Sequence, residues 1–286
     1  MVHPVESGDR GPNRKRTVAN ALLGEEKATG VSEFVRDIRA SRGGVGLWWQ
    51  RNVTAAGRLN SSRIGRFKDA YAGQRCVIIG NGPSLKDTDL DLLQNEFTFG
   101  LNRIYLLFAE LGWETTFHVV VNQLVVKQCA EDFKRIRVPL FTTMPNLTFL
   151  RGAQNAVYLN TFNRPRFFTD VNHGIWEGAT VTYVAMQLAY YMGFTEVVLV
   201  GVDHRFAVTG PASQVVESTG PDGSHFDPNY FGKGFRWQLP DLETSEIAYT
   251  MARRQFESQG RRIVDATVGG ALTVFPKVPL AEALAK

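Results

Sequence analysis

The feature that most constrains this chain is a recurring unit: a short apolar run that stops at a small or polar residue and gives way to helical spacing. Arg75-Cys76-Val77-Ile78-Ile79 stops at Gly80, and Phe97 to Leu101 stops at Asn102. Phe117 to Val121 stops at Asn122, and Glu196 to Val202 stops at Asp203. Val138 to Thr142 and Arg262 to Thr267 read as two further strands. Near-continuous apolar strands are the mark of a parallel sheet buried on both faces, and helices between them supply the cover. Helices are expected from Asp87 to Leu93, Tyr105 to Leu111, Gln123 to Phe133, Ala179 to Met192 and Asp241 to Gly260. The fold class that follows is α/β, a Rossmann-like, mostly parallel sheet with helices on both faces.

Three regions precede or interrupt this pattern. Residues 1–30 are polar, basic and broken by Gly and Pro, and read as a flexible tail. Residues 31–70 read as a helical extension: Val31, Phe34, Val35 and Ile38, then Leu47, Trp48 and Val53, recur near helical spacing around the break at Gly43-Gly44. The domain proper is 71–286. Within it, 204–240 is too long for an ordinary connection and too aromatic for a linker, which suggests a lid.

Charge sorts these regions further. The chain has 286 residues and a formal net charge of +4, yet residues 1–70 hold 13 Lys and Arg against 7 Asp and Glu. The remainder holds 19 against 21. The body is thus slightly acidic, which argues against a nucleic-acid partner. The basic arm suits an anionic surface, with Trp48-Trp49 as an interfacial anchor or as a pair packed on the domain. Cys76 and Cys129 sit among apolar residues without a Cys or His neighbour, as buried thiols of a reducing compartment do. With no long apolar run or secretory leader, the expectation is a cytoplasmic protein, peripheral at most at the inner face of a membrane, and able to form a homo-oligomer.

Ligands of open α/β sheets bind beyond the carboxyl ends of the strands. The residues there are Gly80, Asn81, Gly82 and Ser84, then Asn102, Asn122 and Asp203. Glycines allow close backbone approach, and amides at a helix start attract an anion, so a nucleotide site is expected. The element is neither G-x-G-x-x-G nor a P-loop. Asp87-Thr88-Asp89-Leu90-Asp91 carries two D-x-D triplets, read as helix capping, and no metal ligand is assigned. His225, in a run of aromatics within the lid, suits proton abstraction from a hydroxyl, because imidazole ordinarily titrates near neutrality. Arg205 can neutralise a leaving phosphate or form a plain salt bridge. His204 fits a phosphate contact or a turn, and His118 a core position.

Taken together, Ile79-Gly80-Asn81-Gly82-Pro83-Ser84-Leu85, Leu101-Asn102-Arg103-Ile104-Tyr105, Val121-Asn122, the run Met192 to Asp203 and Ser224-His225-Phe226 resemble a bacterial group. This group comprises CMP-sialic-acid-dependent sialyltransferases of surface-glycan synthesis and flagellin nonulosonic-acid glycosylation proteins. A similar archaeal branch contains the ATP-using 6-hydroxymethylpterin diphosphokinases. The resemblance spans about residues 74–275 and implies one nucleotide-binding domain with a lid, working without a metal cofactor. It also implies that Asn81 and Ser84 contact the CMP portion, Asn102 the phosphate–ribose region, and Asn122 the donor sugar or acceptor. Thr180 falls near a helix start that touches the donor, and His225 in the segment holding the general base. Where the family places tyrosines after this strand, Asp203 is followed by His204 and Arg205, with Tyr230 of the lid as a partial substitute. A second lid histidine is replaced by Asn229-Tyr230.

The expected function is inverting, metal-independent transfer of a CMP-activated, acidic sugar to a cell-surface glycan. The partners are then a nucleotide sugar and a glycan acceptor. Two alternatives stand beside it: an ATP-dependent pterin diphosphokinase-like pyrophosphoryl transferase, and a non-catalytic nucleotide-binding accessory protein of glycan assembly.

Overall fold

The computed structural model of the chain describes residues 54–207 and 210–285. The tail at 1–30, the first part of the helical extension and the Trp48-Trp49 pair lie outside the described residues. The remainder of the extension contains α1 (Ala55–Gly65), capped by the Thr54 hydroxyl, which accepts from the Gly57 amide at 3.0 Å.

Seven strands form one sheet: β1 (Arg75–Ile79), β2 (Phe97–Leu101), β3 (Phe117–Val119), β4 (Leu140–Thr143), β5 (Ala156–Leu159), β6 (Glu196–Val200) and β9 (Arg262–Asp265). Their order is β5-β4-β3-β2-β1-β6-β9, and every pairing is parallel. The α/β parallel sheet expected from the apolar runs is thus the one observed. All five residues of β1 are buried, and period-2 alternation splits them between two cores. Cys76 and Ile78 pack with α1, α5 (Val181–Tyr191) and α6 (Leu242–Glu257) on one face. Val77 and Ile79 pack on the other with α3 (Gln123–Gln128), α4 (Ala130–Arg135) and α7 (Leu280–Leu284).

The remaining elements are α2 (Phe108–Leu111) and an antiparallel hairpin of β7 (Val215–Glu217) and β8 (Arg236–Gln238). The hairpin belongs to the 204–240 segment, whose Phe226, Tyr230, Phe231, Trp237 and Leu239 join the second core.

Several elements differ from expectation, for local reasons. The helix expected from Asp87 to Leu93 is two 3₁₀ turns, Pro83–Asp87 and Leu90–Leu93. Asp89 caps the second, accepting from the Asp91 amide at 3.2 Å, while Asp87 ends the first. The segment expected as one helix from Gln123 to Phe133 breaks at Cys129, whose backbone leaves the helical region (φ −119°, ψ 24°). β3 ends at Val119, short of the apolar run that continues to Val121. β5, β7 and β8 have no counterpart among the strands expected from the apolar runs.

Chain order fixes where a ligand can enter. From β1 the chain runs outward through β2, β3, β4 and β5, then returns to lay β6 on the other side of β1. The connections diverge between β1 and β6, and a crevice opens at such a switch point, beyond the carboxyl ends.

Candidate functional site

A cleft of about 490 Å³ lies at that switch point, a volume suited to a small organic ligand. Gly80, Asn81, Gly82, Asn102 and Asn122 line it from one side. Thr180, Asp203, Arg205 and His225 also face it. Nine of the eleven residues singled out from the sequence therefore share one cavity. Ser84 and Tyr230 lie just behind its wall.

The glycines serve the protein's own packing. A Cβ on Gly80 would stand 2.2 Å from the Gly201 carbonyl oxygen, and one on Gly82 would stand 1.7 Å from Asp203 Oδ2. The Gly80 and Gly82 amides donate to the Val200 and Gly201 carbonyls at 2.8 and 2.9 Å. The Ser84 amide and hydroxyl both donate to the Asp203 carboxylate, at 3.1 and 2.6 Å. The anion expected at the helix-start amides does not find them free: the Ser84 amide, like those of Gly80 and Gly82, ties the end of β1 to the end of β6. Asp203 is committed to that tie. Asn81 differs: its side-chain oxygen is buried with no partner, an acceptor left at the cleft wall.

Four residues around the cleft hold positive φ without being glycine: Asn102 (47°), Ala179 (59°), His204 (55°) and Ser213 (63°). Such conformations cost of order 1 kcal/mol or more and gather at functional sites. Asn102 is held there by its amide on Val119 and by His118 Nε2 at 2.7 Å from its carbonyl. His118 is fully buried, and desolvation pushes its pKa down to about 4, so the ring is neutral and structural.

Helix starts bring two more side chains to the rim. Thr180 is the N-cap of α5, accepting from the Thr182 amide at 3.3 Å and lying 3.2 Å from the Tyr249 hydroxyl. Asn122 caps α3 with its oxygen and donates through its nitrogen to Gln238 of β8 at 3.1 Å. Arg205, exposed at the mouth, donates to the Gly269 carbonyl. His204 Nε2 lies 3.0 Å from Glu246 Oε1.

The lid carries the most developed arrangement. His225 Nδ1 lies 2.7 Å from Asp222 Oδ2. The ring stacks on Tyr230 with centroids 4.0 Å apart and planes 9° from parallel. Asp222 also accepts from the Ser224 and Phe231 amides at 2.8 and 3.1 Å. Burial alone would push its pKa up, but the His225 hydrogen bond and charge and the two amides outweigh it and hold it below the usual range. The carboxylate is therefore ionised, and it fixes which ring nitrogen carries the proton. Tyr230 is fully buried beneath the ring and acts as a platform.

Sequence reasoning missed two acids. Asp222 had a usable signal, an acid three residues before the lid histidine. Glu177, which lines the cleft on the loop before α5, had none. Desolvation raises its pKa to about 7.

More than half of the chain, residues 52–209, matches the family described as 6-hydroxymethylpterin diphosphokinase MptE-like. The chain belongs to that family. Among solved structures it is similar to the MAf glycosyltransferase from Magnetospirillum magneticum AMB-1, with a TM-score of 0.48 and 16% sequence identity. The match covers 77% of this chain and 38% of that one, so the chain spans little more than a third of the neighbour's length. No curated protein matches the chain. Among the described residues no three His, Cys, Asp or Glu are grouped as a metal set, and no helix is long and apolar enough to cross a membrane.

Proposed function

We propose that this MptE-like family member is a glycosyltransferase that moves a CMP-activated acidic sugar to a glycan acceptor, with inversion and without a metal cofactor. The observation that carries the reading is the Asp222–His225 pair on an aromatic platform beside the cleft. With Nδ1–H donating to Asp222, the neutral ring keeps its Nε2 lone pair to take the proton from an acceptor hydroxyl. The hydroxyl oxygen then attacks the anomeric carbon as its bond to the phosphate breaks. The departing phosphate falls to Arg205 and to the start of α5 at Thr180 and Thr182, where the helix dipole favours negative charge. Asn81 and Asn102 face the nucleotide, and Asn122 the sugar or acceptor. Ser84 and Asp203 hold the loop beneath them.

Purified protein incubated with CMP-linked sugars and a glycan acceptor should release CMP in an acceptor-dependent way. A His225→Ala variant should lose that release by about 100-fold or more. Undiminished release would remove His225 from the role.

The family description favours a second reading, ATP-dependent pyrophosphoryl transfer to a pterin alcohol. ATP with Mg²⁺, but not CMP, would then raise the melting temperature, and EDTA would abolish turnover. Location at the inner face of a membrane, docking through the basic N-terminal arm and self-association belong to the same proposal. Sedimentation with anionic vesicles and a solution mass measurement test them. A non-catalytic accessory role predicts nucleotide binding without turnover.

A further inference from the structure

We propose that Glu177 is a specificity-determining residue whose carboxylate accepts hydrogen bonds from hydroxyl groups of the transferred sugar. This rests on the glycosyltransferase reading above and assigns a ligand contact to a residue outside its machinery. The first support is position: Glu177 lines the same cleft as Asn102, Asn122 and His225.

The second is isolation. The other charged or titratable groups bordering the cleft are engaged within the protein: Asp203 with Ser84, Asp241 with the Thr244 hydroxyl, His204 with Glu246, His225 with Asp222, and Arg205 with the Gly269 carbonyl. The Glu177 carboxylate makes no hydrogen bond or ion pair among the described residues, and desolvation alone perturbs it. A partly desolvated acid without a partner is costly, and a ligand that expels the remaining water must bring donors to it.

The third is rigidity. The Trp176 carbonyl accepts from the buried Gln187 side chain at 2.8 Å, and the Glu177 carbonyl accepts from the Thr180 amide at 3.1 Å. Gly178, at φ +56°, presses against Ala248 and Tyr183, where a Cβ would stand 2.6 Å from both. The backbone of Glu177 is therefore pinned to α5 and α6, which fixes the point from which its side chain enters the cleft. A neighbouring hydroxyl pair matches its two oxygens. An ionised Glu177 repels a carboxylate, so an acidic sugar would present its hydroxylated side.

The test is calorimetric titration of wild-type protein, Glu177→Gln and Glu177→Asp with CMP, CMP-N-acetylneuraminate and ATP–Mg²⁺, from about pH 6 to about pH 8. CMP should bind all three proteins alike. CMP-N-acetylneuraminate should bind wild type more tightly as pH rises and Glu177 ionises. It should bind Glu177→Gln about tenfold more weakly at the upper end, without that pH dependence. Partial recovery in Glu177→Asp supports the contact. Equal affinity and equal pH dependence in wild type and Glu177→Gln overturn it while leaving the glycosyltransferase reading intact. If only ATP–Mg²⁺ binds, a difference confined to Glu177→Gln keeps a ligand contact but overturns the sugar assignment together with that reading. Binding of none of the probes overturns both.

Discussion

Asp222 accepts a 2.7 Å hydrogen bond from His225 Nδ1 while two backbone amides, of Ser224 and Phe231, fix the same carboxyl group from the other side. The pair is thus anchored to the lid backbone. Its orientation does not depend on a bound ligand. Replacing Asp222 by Asn keeps the size but offers an amide that can present a donor to Nδ1, which would turn the ring or reverse its tautomer. Asp222→Asn should lower acceptor-dependent CMP release by about 100-fold, and Asp222→Asn/His225→Ala should be no worse than His225→Ala alone. Single-turnover rates of the three variants measure this. Additive losses would mean that the two residues act separately.

The loop after β1 makes a graded prediction. An alanine at position 80 meets a backbone oxygen, Gly201 O, whereas one at position 82 meets the side chain of Asp203 along its length, from Oδ2 to Cβ. Backbone cannot swing aside, but a carboxylate can at the expense of its bonds to Ser84. Gly80→Ala should therefore destabilise the protein by about 3 kcal/mol and Gly82→Ala by about 1–2 kcal/mol. The Gly82→Ala and Asp203→Ala changes should be strongly non-additive, because each breaks the same tie. Urea unfolding of wild type, Gly80→Ala, Gly82→Ala, Asp203→Ala and the Gly82→Ala/Asp203→Ala double variant decides it.

The sheet was legible where burial on both faces writes itself into composition. β1 and β6 carry the apolar runs Cys76–Ile79 and Val197–Val200, β2 sets Phe97, Phe99 and Leu101 around Thr98 and Gly100, and the residues that end them, Gly80, Asn102 and the Gly201–Asp203 turn, surround the cleft. β5 was not legible, because Ala156–Leu159 is a four-residue edge strand with a partly exposed Tyr158, too short to carry a period. The lid strands are three residues each and partly exposed, too short to carry a period.

Site residues divide in the same way. Asn81, Asn102 and Asn122 stand out because strand ends are readable, and His225 because a histidine among aromatics is conspicuous. Roles were harder to read than places. The Gly80 and Gly82 amides turn inward to β6, a fact of register that local sequence does not contain. The raised pKa of Glu177 is a product of tertiary desolvation, which the surrounding Trp-Glu-Gly-Ala does not encode.

Arg103 fastens the lid. It donates to the carbonyls of Asn229 and Tyr230, and its guanidinium lies 5.3 Å from the Phe235 ring centroid. The Phe226 amide adds a bond to the Asn81 carbonyl at 3.0 Å. Since Arg103 lies at the end of β2, it joins the lid directly to the sheet. Arg103→Ala should leave the core stable to within about 1 kcal/mol but accelerate amide exchange across residues 222–235 by about tenfold. Hydrogen-exchange mass spectrometry reads this segment. Unchanged protection there would show that the aromatic packing of Phe226, Tyr230 and Phe231 is sufficient without the arginine.

Glu177 links stability to pH with a sign opposite to that of an ion-paired acid. Its pKa is about 7 in the folded chain against an ordinary value of 4.5, so the folded state holds the proton that the unfolded state releases. Below about pH 4.5 both states are protonated and Glu177 exerts no penalty. As pH rises towards 7 the unfolded state ionises first, and stability falls until the folded carboxyl ionises too. Above that the full penalty remains, on the order of 2 kcal/mol after allowance for the partial exposure of the side chain. Glu177→Gln removes the titrating group while keeping its shape. It should therefore melt above wild type at pH 8, and the difference should vanish near pH 4.5. His118 works in the opposite sense, since a buried neutral imidazole with a folded pKa near 4 lowers stability as pH falls below 6.5 in both proteins. The comparison is therefore the difference between the two melting curves at each pH, in which the His118 contribution cancels. A difference that stayed constant from pH 5 to pH 8 would mean that Glu177 is solvated and ordinary.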